Sequence, residues 1–171
     1  LKMIQWIEHL NDTVLHHYGT RLVGGYTEPF YKAAEAGSMA EVHFTHDYER
    51  SALHELAHWC IAGKQRRLMN DYGYWYVPDG RSDEQQRLFY TVEAKPQAVE
   101  KYFCHALELV FEVSADNLGN FSRADMEAFS GRVDEQYRLY RKTGFPPRAT
   151  DIYECLRQWH SETRSRAVPD P

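Results

Sequence analysis

Apolar residues recur at helical spacing over residues 1–17, and Gly19 follows as a stop. This stripe predicts an amphipathic helix packed on a core. Residues 21–25 predict a short strand, and the alternation of apolar and polar residues over 40–45 predicts a second, half-buried strand. The segment between them, residues 26–39, contains Pro and Gly and predicts a long loop.

Helices account for most of the remaining pattern. Periodicity and end signals place them at residues 49–62, 83–94, 96–110, 123–142 and 150–161. Pro96 is expected to open a new helix, because proline is tolerated in a first turn, and Pro146-Pro147 is expected to act as a stop. Residues 70–82 are rich in Tyr and Gly and predict an aromatic loop. The pattern therefore predicts the α+β class: a helix-rich single domain over residues 1–171 with a small sheet and a polar tail at 162–171.

Composition and charge narrow the class of protein. The chain has 171 residues, 43% of them apolar and 26% charged, which is ordinary for a folded domain. A net charge of −5 argues against non-specific coating of nucleic acid, so no direct nucleic acid partner is expected. No apolar run is long enough to span a membrane. Three cysteines without a C-x-x-C pair indicate reduced thiols, so we expect a cytoplasmic protein with no membrane partner.

One motif carries recognisable chemistry. The segment from His54 to His58 reads H-E-x-x-H and lies in the predicted helix 49–62, where residues four apart share a face. Two imidazoles at this spacing can coordinate one metal ion. Glu55 points about 100° around the helix from His54, which suits a catalytic base better than a ligand. The alternative is a pair of core histidines, each of which would need its own buried partner.

Two histidines need a third ligand. Zinc proteases of the metzincin class would place a histidine where Lys64 stands, so that class is excluded. A carboxylate from a later helix is then the expected ligand, and Glu93 is the preferred candidate. Asp71, Glu84 and Glu100 are alternatives.

The ligand types alone do not determine which reaction the site catalyses. Two histidines and one carboxylate suit non-haem Fe(II), and the same set suits hydrolytic zinc. In the alternative of a zinc hydrolase, a peptidase or nuclease, Glu55 would be the general base. A further alternative is a binding module in which the metal only holds the helix in place.

Longer segments around the motif resemble a known family. They cover His54–Gly63, Asp71–Tyr76, Pro78–Arg81, Val92–Ala98 and the lead-in Phe44–Tyr48, and they are similar to the bacterial elongation factor P hydroxylases. The resemblance implies an enzyme that hydroxylates a lysine of elongation factor P after a β-lysyl group has been attached. It also implies a fold like that of small metal-dependent hydrolases.

The resemblance also implies the cofactor and partners. His54 and His58 would be the imidazole ligands, with Glu93 as our choice for the carboxylate. Hydroxylating an unactivated C–H bond needs a redox metal and O₂, so Fe(II) is the expected metal. Zinc or another divalent ion could occupy the site in crystals. The expected partner is β-lysylated elongation factor P.

The substrate would be a long cationic side chain. Aromatic walls suit its methylenes, and ring faces or carboxylates suit its ammonium groups. The candidates for the wall are Tyr72, Tyr74, Trp75 and Tyr76, and those for the charge partner are Asp71 and Asp79. A rim that docks the protein substrate is expected from Arg66, Arg67, Arg81 and Arg87. The alternative is that the aromatic loop only packs on the core and that the arginines are solvated.

Overall fold

The computed structural model describes residues 4–74, 83–114 and 122–167. Within these ranges the chain forms three strands and five helices, with a π-helical turn after the first helix and two short 3₁₀ turns after the second. The elements are α1 (Gln5–Leu10), β1 (Thr20–Tyr26), β2 (Phe30–Lys32), β3 (Ala40–Thr45), α2 (Glu49–Ile61), α3 (Asp83–Ala106), α4 (Arg123–Thr143) and α5 (Pro147–Ala167).

The sheet has β3 at its centre. β1 pairs with β3 in parallel, and β2 pairs with the other edge of β3 in the antiparallel sense. Leu22, Tyr31 and Val42 lie opposite one another across the three strands, and all three are buried. This row gives the sheet one apolar face, and α2 packs against β3.

A single buried cluster joins the sheet to the helices. Asn11 fixes α1 to β1, because its side-chain amide pairs with both the N–H and the C=O of Leu22 at 2.8 and 2.9 Å. The indole N–H of Trp6 donates to Glu49 Oε1 at 2.7 Å, which ties α1 to the start of α2. The largest fully buried apolar side chains are Trp6, Leu10, Leu15, Leu22, Leu53, Leu56, Trp59, Phe103, Phe129, Ile152 and Leu156.

The helix-rich α+β prediction is confirmed. The strands predicted at 21–25 and 40–45 correspond to β1 and β3, and the helices predicted at 49–62 and 123–142 correspond to α2 and α4. The predicted first helix is also present, with a π-helical turn at Asn11–Leu15. No helix in the described ranges combines the length and the apolar character needed to cross a bilayer.

Three local predictions are wrong. The expected loop 26–39 contains β2, which pairs along β3. The two helices predicted on either side of Pro96 are one helix, α3, because its packing against α2, α4 and α5 compensates for the hydrogen bond that proline cannot make. Pro147 begins α5, since proline fits a first helical turn, and α5 continues to Ala167, so residues 162–167 of the expected tail are helical.

Candidate metal centre

The two motif histidines lie side by side on α2. Their ring centroids are 4.8 Å apart, and their Nε2 atoms are 3.2 Å apart. The opposite side of α2 supplies Leu53, Leu56 and Ala57 to the core. The amphipathic pattern of the helix therefore turns both imidazoles away from the sheet.

Glu93 of α3 completes a triangle of donor atoms. Its Oε1 lies 3.1 Å from His58 Nε2 and 3.4 Å from His54 Nε2. Among the described residues these three are the group with ligand atoms close enough to share an ion. Ligand bonds of about 2.1 Å place neighbouring donors about 3.0 Å apart at a right angle and about 3.4 Å apart at a tetrahedral angle. The three observed separations fit donors that share one ion.

A polar stripe on α3 faces the histidines. Glu93, Gln97 and Glu100 are 7%, 0% and 4% exposed, on a helix whose other inward residues are apolar. Glu100 Oε1 lies 2.5 Å from His54 Nδ1. Gln97 hydrogen-bonds Glu93 and also pairs with the backbone of Ser114, at 2.5 and 2.9 Å. Each buried polar group of the stripe therefore has a partner at the centre or in the segment beside it.

The electrostatics of the centre favour positive charge. Burial alone would lower the pKa of the His54 imidazole, but the hydrogen bond and charge of Glu100, with the charges of Glu55 and Glu93, raise it to about 10. Burial would raise the pKa of Glu93, but the charge and hydrogen bond of His58, with the charge of His54, lower it to about 2. A cation bound between these groups would be stabilised by the same carboxylate charges.

Glu55 lies outside the donor triangle. Burial raises the pKa of its carboxyl, and the charges of the two histidines oppose that rise. Its charge in turn adds to the raised pKa of the buried Tyr72 hydroxyl, after the larger effect of burial.

The segment that follows α2 is held against β2. Tyr72 is buried and stacks on Tyr31 with 4.3 Å between ring centroids. Asp71 Oδ1 accepts the Tyr31 N–H at 3.1 Å, and Asn70 Oδ1 accepts the Ala33 N–H at 2.9 Å. Asp71 and Tyr72 adopt φ of 52° and 59°, a left-handed conformation that costs free energy outside glycine. The bonds to β2 hold that strained turn in place.

Two comparisons with known proteins cover nearly the whole chain. A model of the family described as elongation factor P hydroxylase matches residues 9–168, which include all three donors. The chain is also 42% identical over 161 residues to an elongation factor P lysine hydroxylase of Haemophilus influenzae, covering 94% of this chain and 90% of that protein. The chain belongs to the elongation factor P hydroxylase family.

Membership of the elongation factor P hydroxylase family confirms the resemblance inferred from the sequence. It favours the hydroxylase interpretation over a zinc hydrolase, which the donor types alone could not do. The predicted site residues Trp75, Tyr76, Asp79 and Arg81 lie outside the described residues. Tyr74 is exposed and lies under the Arg66 guanidinium, 4.5 Å from its ring centroid.

Two of the arginines expected at the docking rim of this hydroxylase, Arg66 and Arg67, have structural contacts. Arg66 donates to the carbonyl of Tyr72 at 3.0 Å, and Arg67 donates to the carbonyl of Ala62 at 2.7 Å, just after α2. Arg87 is exposed on α3. Two of the four arginines therefore help to hold the chain around the centre.

The sequence predicts the two histidines and Glu93 but not the residues that contact them. Glu100 is predicted only as an alternative third ligand, and Gln97 is not predicted as a site residue. Glu93, Gln97 and Glu100 follow the spacing i, i+4, i+7 of one helical face, a signal that was present in the sequence. The helix boundary predicted at Pro96 separates Glu93 from Gln97 and Glu100, so their shared helical face is not recognised from the sequence.

Proposed function

We propose that this chain hydroxylates the β-lysylated lysine of elongation factor P, with O₂ as co-substrate and Fe(II) held by His54, His58 and Glu93. The observation that carries the proposal is the triangle of donor atoms, 3.1 to 3.4 Å apart, inside a chain of the hydroxylase family. The named activity of the Haemophilus influenzae relative supports the lysine of elongation factor P as the target.

Iron would supply the activation of O₂ that an unactivated C–H bond requires. The chain contributes three donors and a buried setting. Three protein donors on one side of an ion leave other positions for substrate and O₂, which is the arrangement of non-haem iron oxygenases. One oxygen atom enters the C–H bond, and the other leaves as water with electrons from a reductant.

The residues around the triangle fit the binding of a long cationic side chain. In this proposal Glu55, which is next to His54 in the motif, exchanges a proton with the substrate. In this proposal Tyr72 forms part of the pocket wall and Asp71 faces the substrate ammonium with its second carboxylate oxygen, since Oδ1 holds β2. The same proposal keeps Tyr74, Trp75 and Tyr76 as wall, Asp79 as charge partner and Arg81 at the rim.

The proposed location is the cytoplasm, where thiols remain reduced. Cys60, Cys104 and Cys155 are all free and buried in the folded chain. Free, buried thiols fit a reducing compartment.

Mass spectrometry of elongation factor P tests the proposal. β-Lysylated elongation factor P is incubated with the protein, Fe(II), O₂ and ascorbate, and the modified lysine is expected to gain the mass of one oxygen atom. His58→Ala should abolish the gain, and Glu135→Ala, an exposed change on α4, should not. A metal-loaded, folded protein that leaves the mass unchanged would contradict the proposal, as would zinc-dependent peptide cleavage that is lost in Glu55→Gln.

A further inference from the structure

Glu100 contacts the side of the His54 ring that faces away from the other donors. Its Oε1 lies 2.5 Å from Nδ1, whereas Nε2 of the same ring is the atom beside His58 and Glu93. The two nitrogens lie on different edges of the imidazole. Glu100 is therefore not placed to share an ion with His54 Nε2, which separates its role from that of a ligand.

Burial of the Glu100 carboxylate costs free energy unless the carboxylate has a partner. Glu100 is 4% exposed, and a buried carboxylate loses its hydration. It lies seven residues after Glu93, about 20° away around the axis of α3. One helix face thus delivers a carboxylate to each of two histidine nitrogens: Glu93 to the shared triangle and Glu100 to the rear of His54.

We infer that Glu100 is a positioning residue, which accepts the Nδ1–H of His54 and so leaves the Nε2 lone pair directed at the metal. The inference rests on the proposed metal centre but not on the identity of the substrate. An imidazole has one N–H in its neutral form, so an acceptor on Nδ1 selects the tautomer that can ligate through Nε2. The same hydrogen bond fixes the rotation of the ring.

The Glu100→Gln substitution separates the effect of the carboxylate charge from the effect of the hydrogen bond. In Glu100→Gln the amide oxygen can still accept from Nδ1, whereas Glu100→Ala removes the acceptor. Outer hydrogen-bond partners of metal ligands typically change metal affinity by about 10–100-fold. We expect that loss for Glu100→Ala and a smaller loss for Glu100→Gln, the conservative variant.

Titration with Co(II) provides the test, because its visible absorption reports both affinity and ligand geometry. The dissociation constant, the absorption bands and the thermal midpoint are measured for the wild-type chain and for both variants. Glu135→Ala, an exposed glutamate on α4, is the matched control and should behave as wild type. A purely structural Glu100 would lower the thermal midpoint and leave Co(II) affinity and bands unchanged.

The outcomes separate this inference from the proposed function. If Co(II) binding is lost in His58→Ala but a folded Glu100→Ala keeps the wild-type affinity and bands, the positioning role is overturned and the metal centre stands. If Glu100→Ala fails to fold, Glu100→Leu, which fills the space without an acceptor for the Nδ1–H, takes its place, and wild-type affinity and bands in that variant overturn the role. If the wild-type chain binds no Co(II), both the inference and the metal centre fail.

Discussion

At the scale of single residues, the centre depends on what each nitrogen and oxygen contacts. His54 uses both ring nitrogens, one toward Glu100 and one toward the shared triangle. His58 Nε2 meets the same Glu93 oxygen at 3.1 Å. H-E-x-x-H is a common helical motif. It is a candidate metal centre here because one carboxylate oxygen lies close to both imidazoles.

Replacing Glu93 with Gln tests that shared oxygen. The change keeps the size of the side chain and removes its charge, so metal affinity should fall by at least about 100-fold, the upper end of the effect of outer partners. Calorimetric titration with Fe(II) under anaerobic conditions measures it, with Glu135→Gln as an exposed control. A Glu93→Gln protein with wild-type affinity would show that the carboxylate ligand lies elsewhere.

At the scale of elements, the centre depends on two helices and the sheet beneath them. α2 packs on β3 and α3 packs on α2, so the position of the strands determines where the histidines lie. The carbonyls of Cys60 and Ala62, at the end of α2, accept from Arg148 at 3.3 and 2.5 Å. Arg148 lies over the Trp59 ring at 4.5 Å, so α5 anchors the end of the motif helix.

Gly24 is a sensitive point of the sheet. A Cβ there would lie 2.5 Å from Phe44 Cζ and 2.8 Å from the His46 carbonyl oxygen, closer than real contacts allow. Gly24→Ala should therefore cost about 1–3 kcal/mol of unfolding free energy, the usual cost of overpacking. Urea denaturation measures the change.

Gly63→Ala is the matched control for that substitution. A Cβ at Gly63 meets nothing within 4 Å, and its backbone φ does not require glycine. Its unfolding free energy should stay the same or rise by up to about 1 kcal/mol, because alanine restricts the unfolded chain. Equal stabilities of the two variants would contradict the packing described around Gly24.

Several elements could be predicted from the sequence because their signals are local. The Ser122 cap, with its reciprocal bonds to Asp125, and Gly144 mark both ends of α4. β2 could not be predicted, because three residues are too few to display a period and their pairing depends on β3. The helix through Pro96 could not be predicted either, since tertiary packing outweighs the local cost of proline.

The candidate site has a local part and a non-local part. The sequence indicates His54 and His58, because a four-residue spacing places two side chains on one face of any helix. The sequence offers several carboxylates as a third ligand, and only the packing of α3 against α2 brings Glu93 to the histidines. The left-handed turn at Asp71 and Tyr72 has no sequence signal, because non-glycine residues seldom adopt it.

At the scale of the whole molecule, the buried apolar cluster contains none of the three candidate metal donors. The buried cluster runs from Trp6 through Trp59 to Leu156 and joins sheet and helices. The donors lie at its edge, partly exposed on the histidine side. The chain should therefore keep its fold when the metal is removed.

Removal of metal by a chelator tests this expectation. The stripped protein should unfold cooperatively, and metal at 100 times its dissociation constant should add about 2.7 kcal/mol. Circular dichroism during heating measures both, and His58→Ala should lose the added stability. A stripped chain with no cooperative transition would instead support a metal that only holds the fold together.

The reaction rate of the buried thiols measures how well the same core excludes reagents. Burial raises the pKa of Cys104 to about 12 and raises that of Cys155. The thiolate is the reactive form, so at pH 8 the native protein should react slowly with a disulfide reagent such as DTNB. The same reaction in urea should be rapid, and rapid labelling of the native chain would contradict the described packing.

Isotope labelling of the added oxygen atom is the decisive test of the proposed hydroxylation. β-Lysylated elongation factor P is treated with the iron-loaded protein under isotopically heavy dioxygen in ordinary water, and then under ordinary dioxygen in heavy-oxygen water. The modified lysine is expected to take up the heavy atom only from dioxygen, and His54→Ala, His58→Ala and Glu93→Gln are each expected to abolish the uptake. Heavy oxygen arriving from water, or no uptake by a folded protein with iron bound, would contradict it.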